Sequence, residues 1–440
     1  MKDKKVERKV LYGEDIEKNT IPYPPSNSLV RLPTVEGRDV GLNDVLLSTH
    51  MLLVGSSGCG KTTLLNKIVK QILEQSTDQD AMIIFDPTGG YARRFYQPGN
   101  KRHMIAGTGS EYGSQLCSWN IFDEMCIRKN LFDQRYRQLA REFAKTIMSG
   151  RKNQTQPFFT DAPTDLIADV LIDHVQIAAK QNDASVLTTR DFVDWIRRAG
   201  MEEWLALTEK PEFRGHRKYI GSDVSRLSNQ ALGVFGEMQS AIEDLSAALE
   251  GNEKHPFSMR DIIQNPGGKV LFLEYDLTLG ELQMPLFRLW LDLAMKFALG
   301  RSSTKGNIWI IVDEQSMMNT LKYFSDALNF GRQHGLKIIS ALQSINQFRD
   351  GFGEQADSLL AGFGSCFAFR CNDAATREYL SGRFGRNFVS LNYRDAKDAP
   401  HSETREGYVI EDWDLPQKAG EAVLDLCYED SHPFRCRFTP

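Results

Sequence analysis

The sequence lacks a long apolar run. Nowhere in its 440 residues do about 18 apolar residues follow one another, which is the least that a helix crossing a bilayer needs. The basic first residues, MKDKKVERKV, do not lead into the apolar segment of a signal peptide either. We therefore expect a chain without a membrane-spanning helix and without a secretory leader.

Patterns for zinc binding and for disulfide frameworks are also missing. The seven cysteines are odd in number and include no CxxC pair. The eight histidines are scattered, and none pairs with a cysteine or a glutamate at the spacing of metal ligands. These absences favour a reduced, cytosolic setting.

An excess of basic charge is the third absence. Lys and Arg number 53 against 58 Asp and Glu, so the formal net charge is −5. A protein that held nucleic acid over its whole surface would usually be basic. Any contact with nucleic acid is therefore expected to be local, for example through a ring of basic loops in a pore.

What the chain does contain is an alternation of short apolar runs and helical patterns. Runs typical of buried parallel strands occupy 51–54, 81–85, 270–273, 308–312, 337–342, 366–369 and 422–426. Helical patterns occupy 62–72, 282–298 and 321–333. This alternation predicts an α/β fold with a mostly parallel sheet and helices on both of its faces.

The pattern changes between 131 and 254, where periodic helical stretches replace the strand-like runs. Leu139, Phe143 and Ile147, for example, fall four apart on one helix face. A segment of about 120 residues has the usual size of a domain. We therefore predict an inserted all-α domain at 131–254 within an α/β domain whose two parts are 1–130 and 255–440.

A glycine-rich segment after the first apolar run fits the pattern GxxxxGK[ST]. Its residues are Gly55, Ser56, Ser57, Gly58, Cys59, Gly60, Lys61 and Thr62. Its place between a strand and a helix, which Thr63 continues, is the context that a phosphate-binding P-loop requires. Lys61 is predicted to reach the β and γ phosphates of ATP, and the Thr62 hydroxyl to bind Mg²⁺. The alternative is a glycine turn that only packs.

Two acidic residues follow the strand predicted at 308–312. At the tip of a parallel strand beside the P-loop, Asp313 would orient the water shell of Mg²⁺. Glu314 could act as the general base on the attacking water. The alternative is a solvated strand end. The matching P-loop favours the catalytic interpretation and hence an ATPase.

Two further residues are candidates for sensing the nucleotide. Gln343 follows the strand after the acids, so its amide is predicted to lie near the γ-phosphate. Arg332 closes the intervening helix and could act on the phosphate of a neighbouring subunit as an arginine finger. Alternatively, Arg332 is simply solvated or paired with an acid.

Basic residues cluster in two places within the predicted helical domain. The densest cluster comprises Arg214, His216, Arg217, Lys218 and Arg226, and Arg151 with Lys152 forms another. A cluster of this size is either a solvated face or a site for DNA.

With these motifs in place, most of the chain from about Leu29 onward resembles the conjugative coupling proteins of type IV secretion, of the TraD/TrwB type. The resemblance covers the P-loop, FDPTG at 85–89, CSWNIF at 117–122, FSMRD at 257–261 and IVDE at 311–314. The spacing of Glu314, Arg332 and Gln343 is similar to that of the family's catalytic glutamate, arginine finger and sensor glutamine.

The resemblance implies a RecA-like P-loop motor, related to FtsK and HerA, with an inserted all-α domain facing the cytosol. It further implies a homohexameric ring at the cytoplasmic face of the membrane. Such a ring would use ATP and Mg²⁺ to deliver single-stranded DNA and relaxase to the components of a secretion channel. Asp86, in the FDPTG segment, joins the predicted nucleotide-binding residues on this ground.

The sequence departs from the family's pattern in two respects. The family usually has DPKGE where this chain has DPTGG at 86–90, so the usual lysine and glutamate are missing. Many members also begin with two transmembrane helices. Either such helices were removed from this sequence, or the protein is a soluble member that docks through partners.

Three other functions compete with this interpretation. The P-loop also resembles that of ABC transporters, but the only LSGGQ-like string, at 380–383, follows the acids instead of preceding them. A HerA/FtsK-like pump for DNA in another process fits the same motifs. A receptor for secreted substrates would not need the complete set of Lys61, Asp313 and Glu314.

Overall fold

The computed structural model describes most of the chain. The described residues are 7–16, 20–107, 111–128, 131–148, 157–181, 183, 187–221, 228–247, 252–276, 284–302, 305–318, 321–394, 399–427 and 432–440. Among them, no helix combines the length and the apolar character needed to cross a membrane.

Strands and helices alternate along much of the chain. The strands are β1 (Glu7–Gly13), β2 (Val30–Leu32), β3 (Val40–Leu42), β4 (Met51–Val54), β5 (Ala81–Asp86), β6 (His103–Gly107), β7 (Cys117–Trp119), β8 (Cys126–Arg128), β9 (Leu131–Phe132), β10 (Asn252–Phe257), β11 (Lys269–Glu274), β12 (Ile308–Val312), β13 (Leu336–Leu342), β14 (Ser365–Ala368), β15 (Arg386–Arg394), β16 (Pro400–Tyr408), β17 (Glu421–Asp425) and β18 (Phe434–Arg437). The helices are α1 (Asp44–Ser48), α2 (Lys61–Gln75), α3 (Gly90–Phe95), α4 (Tyr136–Ile147), α5 (Phe158–Gln181), α6 (Thr189–Arg198), α7 (Met201–Glu209), α8 (Arg217–Ile220), α9 (Asn229–Ala247), α10 (Met259–Gln264), α11 (Met284–Leu299), α12 (Phe324–Phe330), α13 (Ile345–Phe352), α14 (Ala356–Ala361) and α15 (Ala374–Arg383).

The chain divides into two compact units. The first comprises Met1–Phe85 and Ser302–Pro440, and the second comprises Asp86–Arg301. The second unit contains the helices α4 to α9 and also the strands β6, β7 and β11. The domain boundaries predicted at 131 and 254 stay a prediction.

The central sheet of the first unit has the strand order β18-β17-β14-β4-β13-β12-β5. The strands β14, β4, β13, β12 and β5 are parallel to their neighbours in that order. Every residue of β4, β12, β13 and β14 is buried, as is usual for parallel strands with both faces covered. The predicted α/β fold with a mainly parallel sheet is thereby confirmed.

One strand of the predicted parallel series runs the other way. The strand predicted at 422–426 is β17, which pairs antiparallel with β14 and with β18. Gly420, just before β17, donates its N–H to the carbonyl of Cys59 in the P-loop at 2.8 Å. β17 therefore starts at the edge of the sheet where the parallel strands end. From there it runs alongside β14 in the opposite direction.

The helix predicted at 321–333 is shorter in the structure. The helix α12 ends at Phe330, and a 3-10 turn over Gly331–His334 replaces its last turn. A Cβ on Gly331 would lie 3.0 Å from Leu336 Cδ2, so the chain is pressed against the start of β13 there. The region 319–320 lies outside the described residues.

The second unit combines parallel strand pairs with helices. The strands β6 and β11 pair in parallel, as do β7 and β10. The helices α4 and α5 pack against each other, and α9 packs against α5. Their apolar faces supply buried residues such as Phe143, Leu166 and Val234.

The buried carboxylate of Glu124 connects two of the motifs quoted above. It accepts hydrogen bonds from Trp119 Nε1 at 2.8 Å and from the backbone N–H groups of Met259 and Arg260 at 2.7 and 2.8 Å. The Ser258 hydroxyl donates a further bond of 3.1 Å. Glu124 thus links the segment CSWNIF to the segment FSMRD. The polar groups of Trp119 and Ser258 in these segments therefore have a structural role.

Candidate nucleotide-binding and hydrolysis site

The P-loop leaves the end of β4 and turns into the start of α2. Its residues Ser57, Gly58 and Thr62 are exposed, whereas Cys59 and Lys61 are buried. The loop rests on neighbouring backbone of the first unit. The N–H of Ser56 donates to the carbonyl of Arg370 at 2.8 Å, and the Ser56 hydroxyl accepts from the N–H of Asn372 at 2.9 Å.

Two glycines of the loop are required for different reasons. Gly60 has a φ of +111° and precedes the first residue of α2, a conformation that residues with a Cβ rarely adopt. Gly55 is required for packing, since a Cβ there would lie 2.7 Å from the Cβ of Phe369 and 2.8 Å from Cys59 Sγ. Residues with a Cβ at either position would therefore distort the loop.

Lys61 lies inside the curve of the loop. Its ammonium donates to the carbonyl of Gly55, and the carbonyl of Ser56 is 3.3 Å away. The side chain is 7% exposed. Carbonyl oxygens of the loop thus hold the ammonium group of Lys61. From this position the group is predicted to reach the phosphates.

Thr62 and Asp313 come together although they are 251 positions apart. The Thr62 hydroxyl donates to Asp313 Oδ2 at 3.1 Å, with Oδ1 at 3.5 Å. The contact follows from the fold, since α2 starts at the edge where β12 ends. A hydroxyl and a carboxylate are hard oxygen ligands of the kind that Mg²⁺ takes in proteins, so this pair fits the predicted metal site.

Glu314 is 9% exposed and lies within the same edge of the sheet. Burial raises the pKa of its carboxyl, while a hydrogen bond from Ser316, the nearby charge of Lys61 and a hydrogen bond from Gln343 oppose that rise. The Ser316 hydroxyl donates to Glu314 Oε1 and so fixes its rotamer. A carboxylate held in this way, with a raised pKa, is suited to accept a proton from water.

The sheet register places Gln343 beside the acids. The strands β12 and β13 are parallel, with Val312 opposite Ser340. Gln343 therefore follows β13 at the same edge as Asp313, and its side chain hydrogen-bonds Glu314. The register thus brings Gln343 to the edge that carries the acids, while its position near the γ-phosphate and its role as a sensor stay predictions.

Arg332 lies at the other end of β13. It is exposed and sits in the 3-10 turn that precedes the strand. At about 3.3 Å per residue, the seven residues of β13 separate it from Gln343 by roughly 20 Å. Arg332 is therefore not brought to the P-loop of its own chain, and a role in hydrolysis requires a second copy.

Asp86, the remaining predicted residue, ends β5 and is 2% exposed. Its carboxylate accepts from the N–H and the hydroxyl of Thr88, both at 2.9 Å, and from the N–H of Tyr91 at 2.6 Å. Thr88 stands where the family usually has lysine, and its carbonyl accepts from the Arg93 guanidinium. These contacts shape the turn, and the binding of nucleotide by Asp86 stays a prediction.

A second carboxylate that the motifs did not point to lies near this turn. Glu274 is 6% exposed, and a Cβ on Gly89 would be 3.0 Å from its Oε1. Burial, together with the negative charges of Glu111 and Asp86, raises the pKa of Glu274 to about 7. Glu274 is thus a neutral acid at slightly acidic pH and a buried anion at alkaline pH.

This shift predicts a pH-dependent stability. The folded-state pKa of about 7 exceeds the ordinary value of 4.5, so ionisation of Glu274 destabilises the fold as pH rises through that window. We expect Glu274→Gln to become more stable than the wild type by on the order of 2 kcal/mol as pH goes from about 5 to about 8. Unfolding midpoints across that range measure the effect. The control is Glu202→Gln, an exposed glutamate, and an advantage independent of pH would contradict the assignment.

The structure adds residues to the site that the sequence analysis missed. Ser316 orients Glu314, while Arg370, Asn372 and Gly420 support the P-loop through backbone contacts. The position of Ser316, two residues after Glu314, was the one available signal. The other three lie more than 300 positions from the loop, so no local pattern could have found them.

Comparisons with family models and with individual proteins point to the same family. The sequence model of the family described as the type IV secretion-system coupling protein DNA-binding domain matches residues 39–409. The coupling protein TraD of Escherichia coli (strain K12) is 20% identical over 343 residues, which cover 76% of this chain. The chain spans 44% of the length of TraD.

Solved structures of the bacterial conjugative coupling protein TrwBdeltaN70 have a similar fold. Its trigonal form in complex with sulphate superposes with a TM-score of 0.74 at 20% identity, covering 98% of this chain and 94% of that one. TrwB in complex with ADP and Mg²⁺ superposes with a TM-score of 0.69 at 19% identity, covering 91% and 87%.

Proposed function

The chain belongs to the type IV secretion-system coupling proteins, and from that premise we propose that it is an ATP-driven motor that moves single-stranded DNA toward a secretion channel. The observation that carries the proposal is the contact of Thr62 with Asp313. It joins the P-loop to the acidic strand end, which supports a shared site for phosphate, metal ion and the candidate base Glu314 at one edge of the sheet.

The residues divide the work of hydrolysis between them. Lys61 and the backbone N–H groups of 60–62 bind the phosphates of ATP, and the positive end of α2 adds to that attraction. Thr62 and Asp313 would hold Mg²⁺, which would neutralise charge on the phosphates when bound. Glu314 orients the attacking water and accepts its proton. Gln343, which hydrogen-bonds Glu314, links the state of that carboxylate to β13.

A ring of copies supplies what a single chain does not. Arg332 is exposed at the sheet edge opposite to its own P-loop, so it can act only on the nucleotide of a neighbour. Phe330, two residues before it, is 53% exposed and offers an apolar contact beside the charge. A homohexamer in which Arg332 of each subunit reaches the nucleotide of the next subunit fits this arrangement.

The proposed partners follow from the family. TrwB and TraD are described as coupling proteins, and the matching family model is described as DNA-binding. We accordingly assign single-stranded DNA, a relaxase or another secreted protein, and channel components as partners. A HerA/FtsK-like pump acting in another process, or a substrate receptor, is the alternative.

Stimulation of ATP turnover by DNA tests the proposal. We expect single-stranded DNA to raise the rate of phosphate release several-fold, because a translocating motor hydrolyses ATP fastest while it is moving DNA. Lys61→Ala should release no phosphate with or without DNA, which serves as the control for contaminating ATPases. Stimulation by double-stranded DNA alone would favour the HerA/FtsK-like alternative. A rate that no DNA changes would favour the receptor.

A further inference from the structure

Two residues of the basic cluster that stands out in the sequence pair with acids in the second unit. His216 Nδ1 lies 2.6 Å from Asp169 Oδ2, and Arg217 Nη1 donates to Glu209 at 3.0 Å. Arg151, Lys152 and Arg226 lie outside the described residues. These acids offset part of the positive charge of the cluster, whose other described residues, Arg214 and Lys218, are exposed.

The helix α4 carries a basic face that the sequence pattern does not make obvious. Arg137, Arg141 and Lys145 are exposed and spaced four apart, so they share one side of the helix. Arg135 precedes them at the N-terminal end. Its side chain is 75% exposed, and its Nε donates to Asp133 Oδ1 at 3.4 Å. The opposite side of the helix is buried: Leu139, Ala140, Phe143, Ala144 and Ile147.

This face is positive within an acidic chain. Residues 135–147 contain four basic residues and one acidic residue, Glu142, so their net charge is +3, against −5 for the whole sequence. Glu142 forms an ion pair with Lys296 of α11. Like charges four apart on a helix repel one another. The 3.7 Å pair of Arg137 with Glu212 is half-exposed and relieves that repulsion only weakly.

A cavity of about 100 Å³ opens at the N-terminal end of the same helix. Its lining includes Arg135, Arg260 and Lys296, with Gln138 as a neutral donor and Asp133 as the carboxylate that the described residues contribute. Asp133 is already engaged, since Oδ2 accepts from Arg260 at 2.8 Å and Oδ1 from the N–H of Arg135 at 2.9 Å. Three cations, offset by the carboxylates of Asp133 and Glu142, and the positive end of a 12-residue helix thus surround a small space with a net positive charge.

The size of this cavity limits what it can hold. Pockets for whole small molecules usually measure about 300–1,000 Å³. A cavity of about 100 Å³ fits a single phosphate group instead. Beyond the cavity, the exposed cations Arg137, Arg141 and Lys145 follow one another along α4. Four residues at a rise of 1.5 Å each separate neighbouring cations by about 6 Å.

We propose that the basic face of α4, defined as Arg137, Arg141 and Lys145, together with Arg135 and the cavity at the N-terminal end of the helix, binds consecutive phosphates of single-stranded DNA. The proposal deepens the motor function above and rests on it. The contacts are made to the backbone alone, so they hold any sequence, as a translocating motor requires.

Salt dependence of binding tests this assignment. A variant with Arg135, Arg137, Arg141 and Lys145 all changed to glutamine is compared with the wild type. The matched control changes Arg198, Arg214, Arg217 and Lys218 to glutamine, removing the same charge from the same unit. Fluorescence anisotropy of a labelled oligothymidylate at increasing NaCl gives the observed binding constant. The rate of ATP hydrolysis without DNA is recorded for all three proteins.

For the α4 variant we expect the slope of log K against log salt to flatten by about 3, since each phosphate contact to a single strand contributes about 0.7. The control should keep the wild-type slope, and all three proteins should keep the same ATPase rate without DNA. Equal slopes in all three would overturn the role of α4 while leaving the motor function intact. A wild type that binds no single-stranded DNA would overturn both.

Discussion

Replacing Glu314 by glutamine should lower ATP turnover by roughly 10²- to 10⁴-fold, the contribution of a positioned general base. The amide keeps the shape of the side chain and can still contact Ser316 and Gln343, but it cannot take a proton from water. ATP binding should persist, because Lys61 and the loop backbone make the contacts to phosphate. Phosphate release in the steady state and the affinity for a fluorescent ATP analogue measure the two properties separately.

The control for this substitution is Glu411→Gln, which alters another buried glutamate of the first unit. Glu411 is 6% exposed and pairs with Arg405 at 3.1 Å. Its loss should affect stability and leave turnover unchanged. Turnover by Glu314→Gln at nearly the wild-type rate would show that a different group activates the water.

Replacing Arg332 by alanine should slow hydrolysis by roughly 10³- to 10⁵-fold, the range observed for arginine fingers. The cause is the loss of a positive charge that one subunit brings to the phosphates of the next. Arg349→Ala is the matched control, since Arg349 is an exposed arginine of the same unit that pairs with Asp357 at 2.9 Å. Its turnover should stay close to that of the wild type.

Mixing two inactive proteins distinguishes action across an interface from action within one chain. A ring formed from Arg332→Ala and Glu314→Gln subunits contains interfaces at which Glu314 of one subunit meets Arg332 of the next. Phosphate release should therefore reappear in the mixture. A mixture as inactive as its components, although both proteins enter the same rings, would contradict the in-trans role of Arg332.

Much of the candidate site was predictable because its chemistry resides in contiguous residues. A phosphate cradle is a local backbone structure, so the glycine spacing of 55–62 between a strand and a helix was sufficient to predict it. The apolar runs at 51–54, 81–85 and 308–312 correspond to β4, β5 and β12, since strands buried on both faces need uninterrupted apolar residues. Asp313 and Glu314 were then predictable from their position at the end of such a run.

Other features could not be predicted, because they depend on contacts between residues far apart in the chain. The direction of β17 follows from the anchorage of Gly420 on Cys59, which no local pattern encodes. The buried carboxylate of Glu124 connects segments 134 positions apart. The raised pKa of Glu274 arises from burial and from neighbouring carboxylates that the fold brings together.

The sequence by itself determined the buried strands β4, β5, β12, β13 and β14, the phosphate loop and the acids that follow β12, because each of these is specified by neighbouring residues. Only the tertiary structure decided which charges remain available to a partner. The cluster at 214–218 is conspicuous in the sequence, yet folding places Asp169 and Glu209 against it. The basic residues of α4 are separated by other residues in the sequence, but one turn of helix aligns them on an exposed face. Charge availability depends on what the fold packs alongside each residue, which spacing along the chain does not record.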